Sequence, residues 1–190
     1  MIMSNFEKIE VIYRFMKVKG IGTVQTNKLL LSIKGRQSSI EIEQQIRMAL
    51  NDSQKNDFDN ESIVIDNSKS KFPIDFVSLL DNNYPDDLKR YLSTNTPSVL
   101  SYIGNLNLLN KKKVGFSGSR KVSDKGIAIT KDCVEQLSEK DICIVSGYAA
   151  GVDQIAHYTA IEQGASTIIV LPEGIESFRI KKEFKNIWDW

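Results

Sequence analysis

The sequence contains 190 residues, of which 41% are hydrophobic and 26% are charged, and its formal net charge is +1. These values are typical of a globular protein with one core, or with one core and a small additional domain. The near-neutral total gives no indication of a nucleic-acid partner, and the chain has no run of eighteen apolar residues that would span a membrane.

The N-terminus and the two cysteines are typical of a cytoplasmic protein. The first ten residues, MIMSNFEKIE, include acidic side chains and lack the apolar segment and cleavage site of a secretory signal. Cys133 falls in a predicted helix and Cys143 in a predicted strand, each among apolar neighbours, and their spacing matches no zinc site. We therefore expect two reduced core cysteines, no metal site and a cytoplasmic location.

Residues 1–50 predict a small all-helical domain. Apolar side chains recur at helical spacing along this segment, and Ser38 followed by Glu41 forms a capping box for its last helix. Gly20 and Gly22 separate two helical patterns in the manner of a helix-hairpin-helix, or SAM-like, domain. Such a turn can direct amides to a phosphate, but the glycines are also explained by the turn alone.

The next segments read as connections and short elements. Residues 51–70, NDSQKNDFDNESIVIDNSKS, are polar and acidic apart from one apolar patch, and this composition predicts a linker. After the linker we expect a helix over residues 72–80 and a short helix that begins at Tyr84-Pro85. Pro97 then introduces an extended apolar segment.

From residue 112 onward the pattern changes to alternating strands and helices. The predicted order is strand 113–117, helix 123–140, strand 142–146, helix 152–163 and strand 167–171. Continuously apolar strands joined by helical crossovers predict a parallel sheet that is covered on both faces. Residues 71–190 are therefore expected to form an α/β, Rossmann-like domain with flanking helices.

The first two strands of this sheet end in short loops rich in glycine and serine, SGSR and SGYAAG. Because parallel strands end at the same edge of a sheet, we expect the two loops to lie together. Glycines allow a ligand to approach the backbone, helix-start amides carry partial positive charge, and a guanidinium suits a phosphate. The candidate phosphate-binding residues are Ser117, Gly118, Ser119, Arg120, Ser146, Gly147 and Gly151. The alternative is that the glycines only permit tight turns.

Basic residues are concentrated beside the first loop. Between residues 111 and 131 there are seven basic side chains and one acidic side chain, that of Asp124. Such a segment favours contact with an anionic chain, although a solvated lysine-rich surface has the same composition. Lys121 and Lys125 lie nearest the loop and complete the set of candidate phosphate contacts.

Known nucleotide-binding motifs are not found in these loops. The chain contains neither GxGxxG nor GxxxxGK[ST], and no acidic residue follows the second strand where the ribose of NAD would need one. Enzymes that use NAD or ATP are therefore disfavoured, and no cofactor is expected.

The motifs SGSRKVSDKG, VSGYAAGVDQIAHYTAIEQGA and TIIVLPEGI together resemble those of the DNA-processing protein A (DprA/Smf) family. The segment DNNYPDDLKRYLSTNTPSVLSYIGNLNLL resembles the lead-in to that family's sheet, so that the resemblance spans roughly residues 10–178. It implies sequence-independent binding of single-stranded DNA in DNA uptake, natural transformation and recombination, without catalytic turnover. It also implies homodimerisation and the loading of a RecA-type recombinase. By matching position, residues 117–120 would grip a backbone phosphate, and Ser146, Gly147 and Gly151 would form a second wall.

The sequence departs from the family pattern in two places. Many members have an Arg in the second loop where this chain has Ala150, so binding would be weaker or would depend on Lys121 and Lys125. Only three strands of the sheet are found, and the later strands of the family carry much of its dimerisation surface. We therefore expect a fragment in which the homodimer interface is incomplete.

Asp153 and His157 are one helical turn apart and raise an alternative hypothesis of acid–base catalysis. Proteins of the cytokinin-activating LOG type, which are also Rossmann-like, cleave nucleoside monophosphates with a glycine-rich loop and a nearby Glu. Glu173 in LPEGI resembles that arrangement loosely, so a LOG-like nucleotide-derivative hydrolase or nucleotide sensor is the second hypothesis. In the structural interpretation, Asp153 caps the helix N-terminus or orients a loop amide, and His157 packs against the neighbouring segment.

Three aromatic residues allow either stacking on bases or ordinary packing. Tyr148 lies in the second loop, while Trp188 and Trp190 follow a basic stretch near the last residue of the sequence. A third hypothesis for the whole chain is an adaptor whose sheet docks only a protein partner.

Overall fold

The computed structural model describes residues 5–35, 38–66, 70–172 and 174–185. The chain divides into two compact units, Met1–Ile103 and Gly104–Trp190, which we call the first and second units. Among the described residues, no helix combines the length and apolar character needed to cross a bilayer.

The first unit begins with helices, as the apolar periodicity predicted. Their bounds are α1 Asn5–Lys17, α2 Thr23–Ser32, α3 Ser39–Ala49 and α4 Asp52–Asn60. The turn between α1 and α2 uses Gly20 at φ +81°, a backbone conformation that favours glycine. The predicted cap of α3 is present, because the hydroxyl of Ser38 accepts a hydrogen bond from the amide of Glu41 at 3.2 Å.

Helix α4 lies inside the segment for which composition predicted a linker. Its start is fixed by a capping box, in which the side chain of Asn51 accepts from the amide of Gln54 and the side chain of Gln54 accepts from the amide of Asn51. One apolar side chain, Phe58, is fully buried, and the guanidinium of Arg14 lies 4.2 Å from its ring centroid. A single buried aromatic residue therefore holds a helix whose other residues are polar.

The predicted helix over residues 72–80 is wrong, because this segment contains strand β1, Asp75–Ser78. It pairs in antiparallel fashion with β2, Val99–Tyr102, which occupies the extended segment predicted after Pro97. A short apolar run has no period that separates a strand from a buried helix, so the pairing partner decides. The predicted short helix is present as α5, Asp86–Leu92. Both strands and α5 belong to the first unit, whereas the composition had placed a domain boundary near residue 70.

Asn27 connects α2 to the segment before β2. Its side-chain amide donates to the carbonyl oxygens of Thr94 at 3.1 Å and Thr96 at 2.7 Å, and its side-chain oxygen accepts from the hydroxyl of Ser98 at 2.7 Å. Nearby, burial raises the pKa of Tyr84 to about 12, and its hydroxyl donates to the carbonyl oxygen of Pro97. These bonds fix a loop that has little regular structure.

The second unit has the predicted alternation of strands and helices. Its elements are β3 Lys113–Gly115, α6 Asp124–Ser138, β4 Cys143–Ser146, α7 Val152–Glu162 and β5 Thr167–Ile169. The strands are parallel and follow one another in the order β3-β4-β5. The prediction of an α/β, Rossmann-like fold with flanking helices is confirmed.

Both described helices of the second unit lie on one face of its sheet, whereas we expected helices on both faces. The core joins Val134 of α6 and Ile144 of β4 to Ala156 and Ala160 of α7. The strand order does not reverse, and right-handed crossovers between successive neighbouring strands place every connecting helix on the same side. This order also keeps the ends of β3 and β4 side by side.

The two cysteines differ in environment. Cys143 on β4 is buried, as predicted, and burial raises the pKa of its thiol. Cys133 on α6 is exposed, so its assignment to the core is wrong. Its apolar neighbours in sequence point to a different side of the helix.

Replacement of Asn27 by alanine should lower the free energy of unfolding of the first unit by about 2 kcal/mol. The change leaves two backbone carbonyl groups and the hydroxyl of Ser98 without their partner. Urea unfolding followed by circular dichroism measures this difference. Lys28→Ala, at an exposed position on the same helix, should stay within about 0.5 kcal/mol of the wild type. Equal effects of the two variants would contradict this role for Asn27.

Candidate functional site

The loops that follow β3 and β4 are joined by backbone hydrogen bonds. The amide of Phe116 donates to the carbonyl oxygen of Val145 at 2.8 Å, and farther along the amide of Val152 donates to the carbonyl oxygen of Ser119 at 3.2 Å. The second bond fastens the start of α7 to the loop that follows β3. The structure therefore brings the two sequence-predicted loops together, and we call residues 117–121 and 147–152 the paired turns.

Gly151 is the point of closest approach between the paired turns. Its φ is +83°, and a Cβ atom at this position would lie 2.2 Å from the carbonyl oxygen of Ser119 and 2.8 Å from the Cα of Arg120. On the other side, a Cβ on Gly118 would lie 2.6 Å from a methyl carbon of Val152. Only glycine therefore permits this packing, and the glycines have a structural role whatever the ligand.

Several main-chain amides of the paired turns have no hydrogen-bond acceptor among the described residues. They belong to Ser117, Gly118, Ser119, Arg120, Gly147 and Gly151. An unpaired amide at the surface carries a partial positive charge and can donate to an anion. The amides required by the phosphate-binding hypothesis are thus not consumed by internal carbonyl groups.

The predicted hydroxyl donors are arranged differently from our expectation. Ser146 is buried and donates to the carbonyl oxygen of Phe116 at 2.7 Å, so it ties the end of β4 to the end of β3. Ser119 donates to the carbonyl oxygen of Lys121 at 2.6 Å and accepts from the amide of the same residue. These two hydroxyls shape the turns, while Ser117 is exposed at the surface.

The local basic excess divides into internal and exposed cations. Lys111 forms an ion pair with Asp141 at 2.6 Å, and Lys113 donates to two backbone carbonyl groups. Both serve the structure at the start of β3. The exposed cations of this segment are Lys112, Arg120, Lys121, Lys125 and Lys131. Three of the candidate site residues therefore present positive charge to solvent at or near the first turn.

Asp153 and His157 have separate partners, as in the structural interpretation. The carboxylate of Asp153 accepts from the amide of Ala149 at 3.2 Å. One ring nitrogen of His157 donates to the carbonyl oxygen of Gly147 at 2.7 Å, and the other lies 2.7 Å from the hydroxyl of Thr167. Burial lowers the pKa of His157, so the ring is neutral near pH 7. A fully buried ring with both nitrogens occupied is not placed for acid–base catalysis.

Tyr148 is partly buried and packs against two aromatic side chains. Its ring lies 5.4 Å from that of Phe178 and 5.8 Å from that of Phe184. Packing is therefore the role that the structure gives to this side chain. The sequence analysis did not predict that Phe178, Lys181 and Phe184 contact Tyr148. The available signal was the pattern FRIKKEF, in which two aromatic residues flank a basic segment. Glu173, Trp188 and Trp190, which also entered the sequence hypotheses, lie outside the described residues.

Gly151→Ala should lower the free energy of unfolding by about 3 kcal/mol or more, because it combines a positive φ with an overlap on the backbone of the first turn. Gly164→Ala is the matched control, since Gly164 also has a positive φ, +64°, but open space around its missing Cβ. It should lower the free energy by only about 1–2 kcal/mol. Urea unfolding of both variants measures the difference. Equal losses in the free energy of unfolding would show that close contact between the turns does not constrain residue 151.

The ring of His157 should titrate below its ordinary pKa of 6.5. Burial favours the neutral form, so the unfolded chain binds a proton more readily, and the stability contributed by the neutral ring is lost as the pH falls below about 6.5. Proton NMR can follow the titration, since the chain has one histidine. In His157→Gln, the amide can replace both hydrogen bonds, and the corresponding loss of stability between pH 7.5 and 5.5 should disappear. An unchanged loss would contradict the assignment.

Comparisons with known proteins extend these observations. The family model described as DNA recombination-mediator protein A matches residues 75–187. The chain is 40% identical over 108 residues to the DNA processing protein DprA of Streptococcus pneumoniae, a match that covers 57% of this chain and 36% of that protein. It is 31% identical over 124 residues to the Protein Smf of Borreliella burgdorferi, covering 65% of this chain and 38% of the relative.

A solved structure has the same fold. The X-ray structure of DNA processing protein A (DprA) from Streptococcus pneumoniae matches with a TM-score of 0.52 and 28% sequence identity, covering 97% of this chain and 58% of the other. The chain thus spans little more than half of that relative. Because the family model matches more than half of the residues of this chain, the chain belongs to the DNA recombination-mediator protein A (DprA/Smf) family.

Proposed function

We propose that the second unit binds single-stranded DNA without regard to sequence, and that it acts in DNA processing during transformation and recombination. The single observation that carries this proposal is the group of unpartnered amides on the paired turns, with Arg120 exposed beside them. A backbone phosphate is the anion that fits main-chain donors and a guanidinium fork together.

The absence of sequence preference follows from the kind of groups that are present. Amides, Arg120, Lys121 and Lys125 contact charge, whereas reading a base requires side chains directed at its edge. Tyr148, the aromatic residue of the second loop, packs against two phenylalanines. Affinity is then mostly electrostatic and falls as salt is added.

The partners of the intact protein belong to the same proposal. The relatives that give the family its name are DNA processing proteins, and this chain matches only part of their length. We include a RecA-type recombinase, a second copy of the chain and a cytoplasmic location on the strength of the family resemblance. We call the surface formed by the paired turns and Arg120 the anion seat. Many family members have an arginine where this chain has Ala150, so Arg120 is the main guanidinium of the anion seat, and replacing Arg120 should have a correspondingly larger effect.

Arg120→Ala should weaken the binding of fluorescent oligo-dT to this chain about tenfold at low salt, because it removes a charge-assisted contact to a phosphate. The slope of log K against log salt should also become shallower by about 0.7, the value for one phosphate contact on a single strand. Fluorescence anisotropy over a salt series measures both quantities.

Lys140→Ala is the matched control, since Lys140 is an exposed cation just beyond the other end of α6. It should leave the affinity and the slope nearly unchanged. If the wild-type chain does not bind oligo-dT at low salt, the DNA-binding proposal fails. Release of free base from nucleoside monophosphates, followed by chromatography, would instead support the nucleotide-hydrolase alternative.

A further inference from the structure

The segment over residues 175–185, which we call the strap, contacts the second of the paired turns at Tyr148. The amide of Lys181 donates to the hydroxyl of Tyr148 at 2.8 Å, and the ammonium of Lys181 donates to the carbonyl oxygen of Tyr148. The same ammonium lies 4.2 Å from the centroid of the tyrosine ring. One residue of the strap thus contacts Tyr148 at its backbone, ring and hydroxyl.

The strap is itself anchored by aromatic packing. Phe178 is 5% exposed and Phe184 is fully buried, and both contact the ring of Tyr148. Phe184 also packs against Tyr158 of α7, with 6.4 Å between the ring centroids. Lys181 is therefore held between two buried anchors, which limits the freedom of its backbone.

Three side chains set the direction of the peptide groups in this turn. His157 donates to the carbonyl oxygen of Gly147, Lys181 donates to that of Tyr148, and Asp153 accepts from the amide of Ala149. In a trans peptide the carbonyl and the following amide point in opposite directions. The peptide group between Tyr148 and Ala149 is therefore held at both ends, by Lys181 at its carbonyl oxygen and by Asp153 at its amide. Among the described residues, the amides of Gly147 and Gly151 remain unpaired donors of this turn.

We propose that Lys181 is a positioning residue for the anion seat, because its hydrogen bonds to the carbonyl oxygen and the hydroxyl of Tyr148 fix the backbone of the second turn, from which the amides of Gly147 and Gly151 are offered to an anion. The inference rests on the proposed function for its effect on DNA binding. It also makes a statement about the free protein, since the orientation of the turn exists without DNA. His157 and Asp153 lie on the adjoining helix, whereas Lys181 comes from a segment outside the family's glycine-rich motifs.

Lys181→Met removes the ammonium and keeps an unbranched side chain of similar length. We expect oligo-dT affinity to fall roughly fivefold while the slope of log K against log salt stays unchanged, since no phosphate contact is lost. Lys182→Met changes the same charge at the adjacent, exposed residue and should bind as the wild type does. Lys181→Arg keeps a cationic donor and should restore most of the affinity.

Two outcomes of the DNA experiment would overturn this role. A shallower salt slope in Lys181→Met would make Lys181 a direct phosphate contact, and equal affinities of Lys181→Met and Lys182→Met would remove any role in the seat. Should Lys181→Met fail to fold by circular dichroism, Tyr148→Phe gives the second test. It removes only the hydroxyl that accepts from the amide of Lys181, and it should weaken binding with an unchanged slope; wild-type affinity in that variant would overturn the proposal.

Measurements without DNA separate this inference from the proposed function. Burial lowers the pKa of His157 most, the charge of Lys181 lowers it further, and the charge of Asp153 raises it. Lys181→Met should therefore raise that pKa, and it should shift the amide NMR signals of residues 147–151, whereas Lys182→Met should do neither. If wild type does not bind oligo-dT yet these changes appear, the proposed function fails and the positioning of the turn stands. If Lys181→Met causes neither change, the strap does not determine the conformation of the second turn.

Discussion

The direct contact of Gly151 with the backbone of Ser119 and Arg120 is the constraint on which the site depends. Two loops from adjacent strands could splay apart at the edge of a sheet, each with its own exposed turn. Here a missing side chain lets one backbone lie against the other, and the amide of Val152 fastens the contact to a carbonyl group. The amides of both turns consequently belong to one surface.

Both main-chain amides and exposed cations contribute positive charge to that surface. The carbonyl oxygens of Gly147 and Tyr148 accept hydrogen bonds from His157 and Lys181 and are therefore used internally. Part of the lysine-rich segment is used internally, as the ion pair of Lys111 with Asp141 illustrates. The exposed cations then supply attraction over a distance, whereas the fixed amides supply geometry.

The strap connects a further part of the chain to the site. In this chain, a segment after β5 contributes Lys181 and two buried phenylalanines to the support of the second turn. The proposed anion seat therefore involves three parts of the second unit, of which two carry the recognisable motifs.

The sequence by itself determined the alternation of strands and helices in the second unit, the cap of α3, the start of α5, and the loops that form the site, because periodicity, capping residues and glycine spacing are local properties. Only the tertiary structure decided the rest. Residues 75–78 form a strand because β2 pairs with them, and α4 formed because Phe58 is buried. The hydroxyl of Ser146 is used internally because the carbonyl group of Phe116, at the end of the neighbouring strand, lies within reach, and no local pattern encodes which groups meet across the fold.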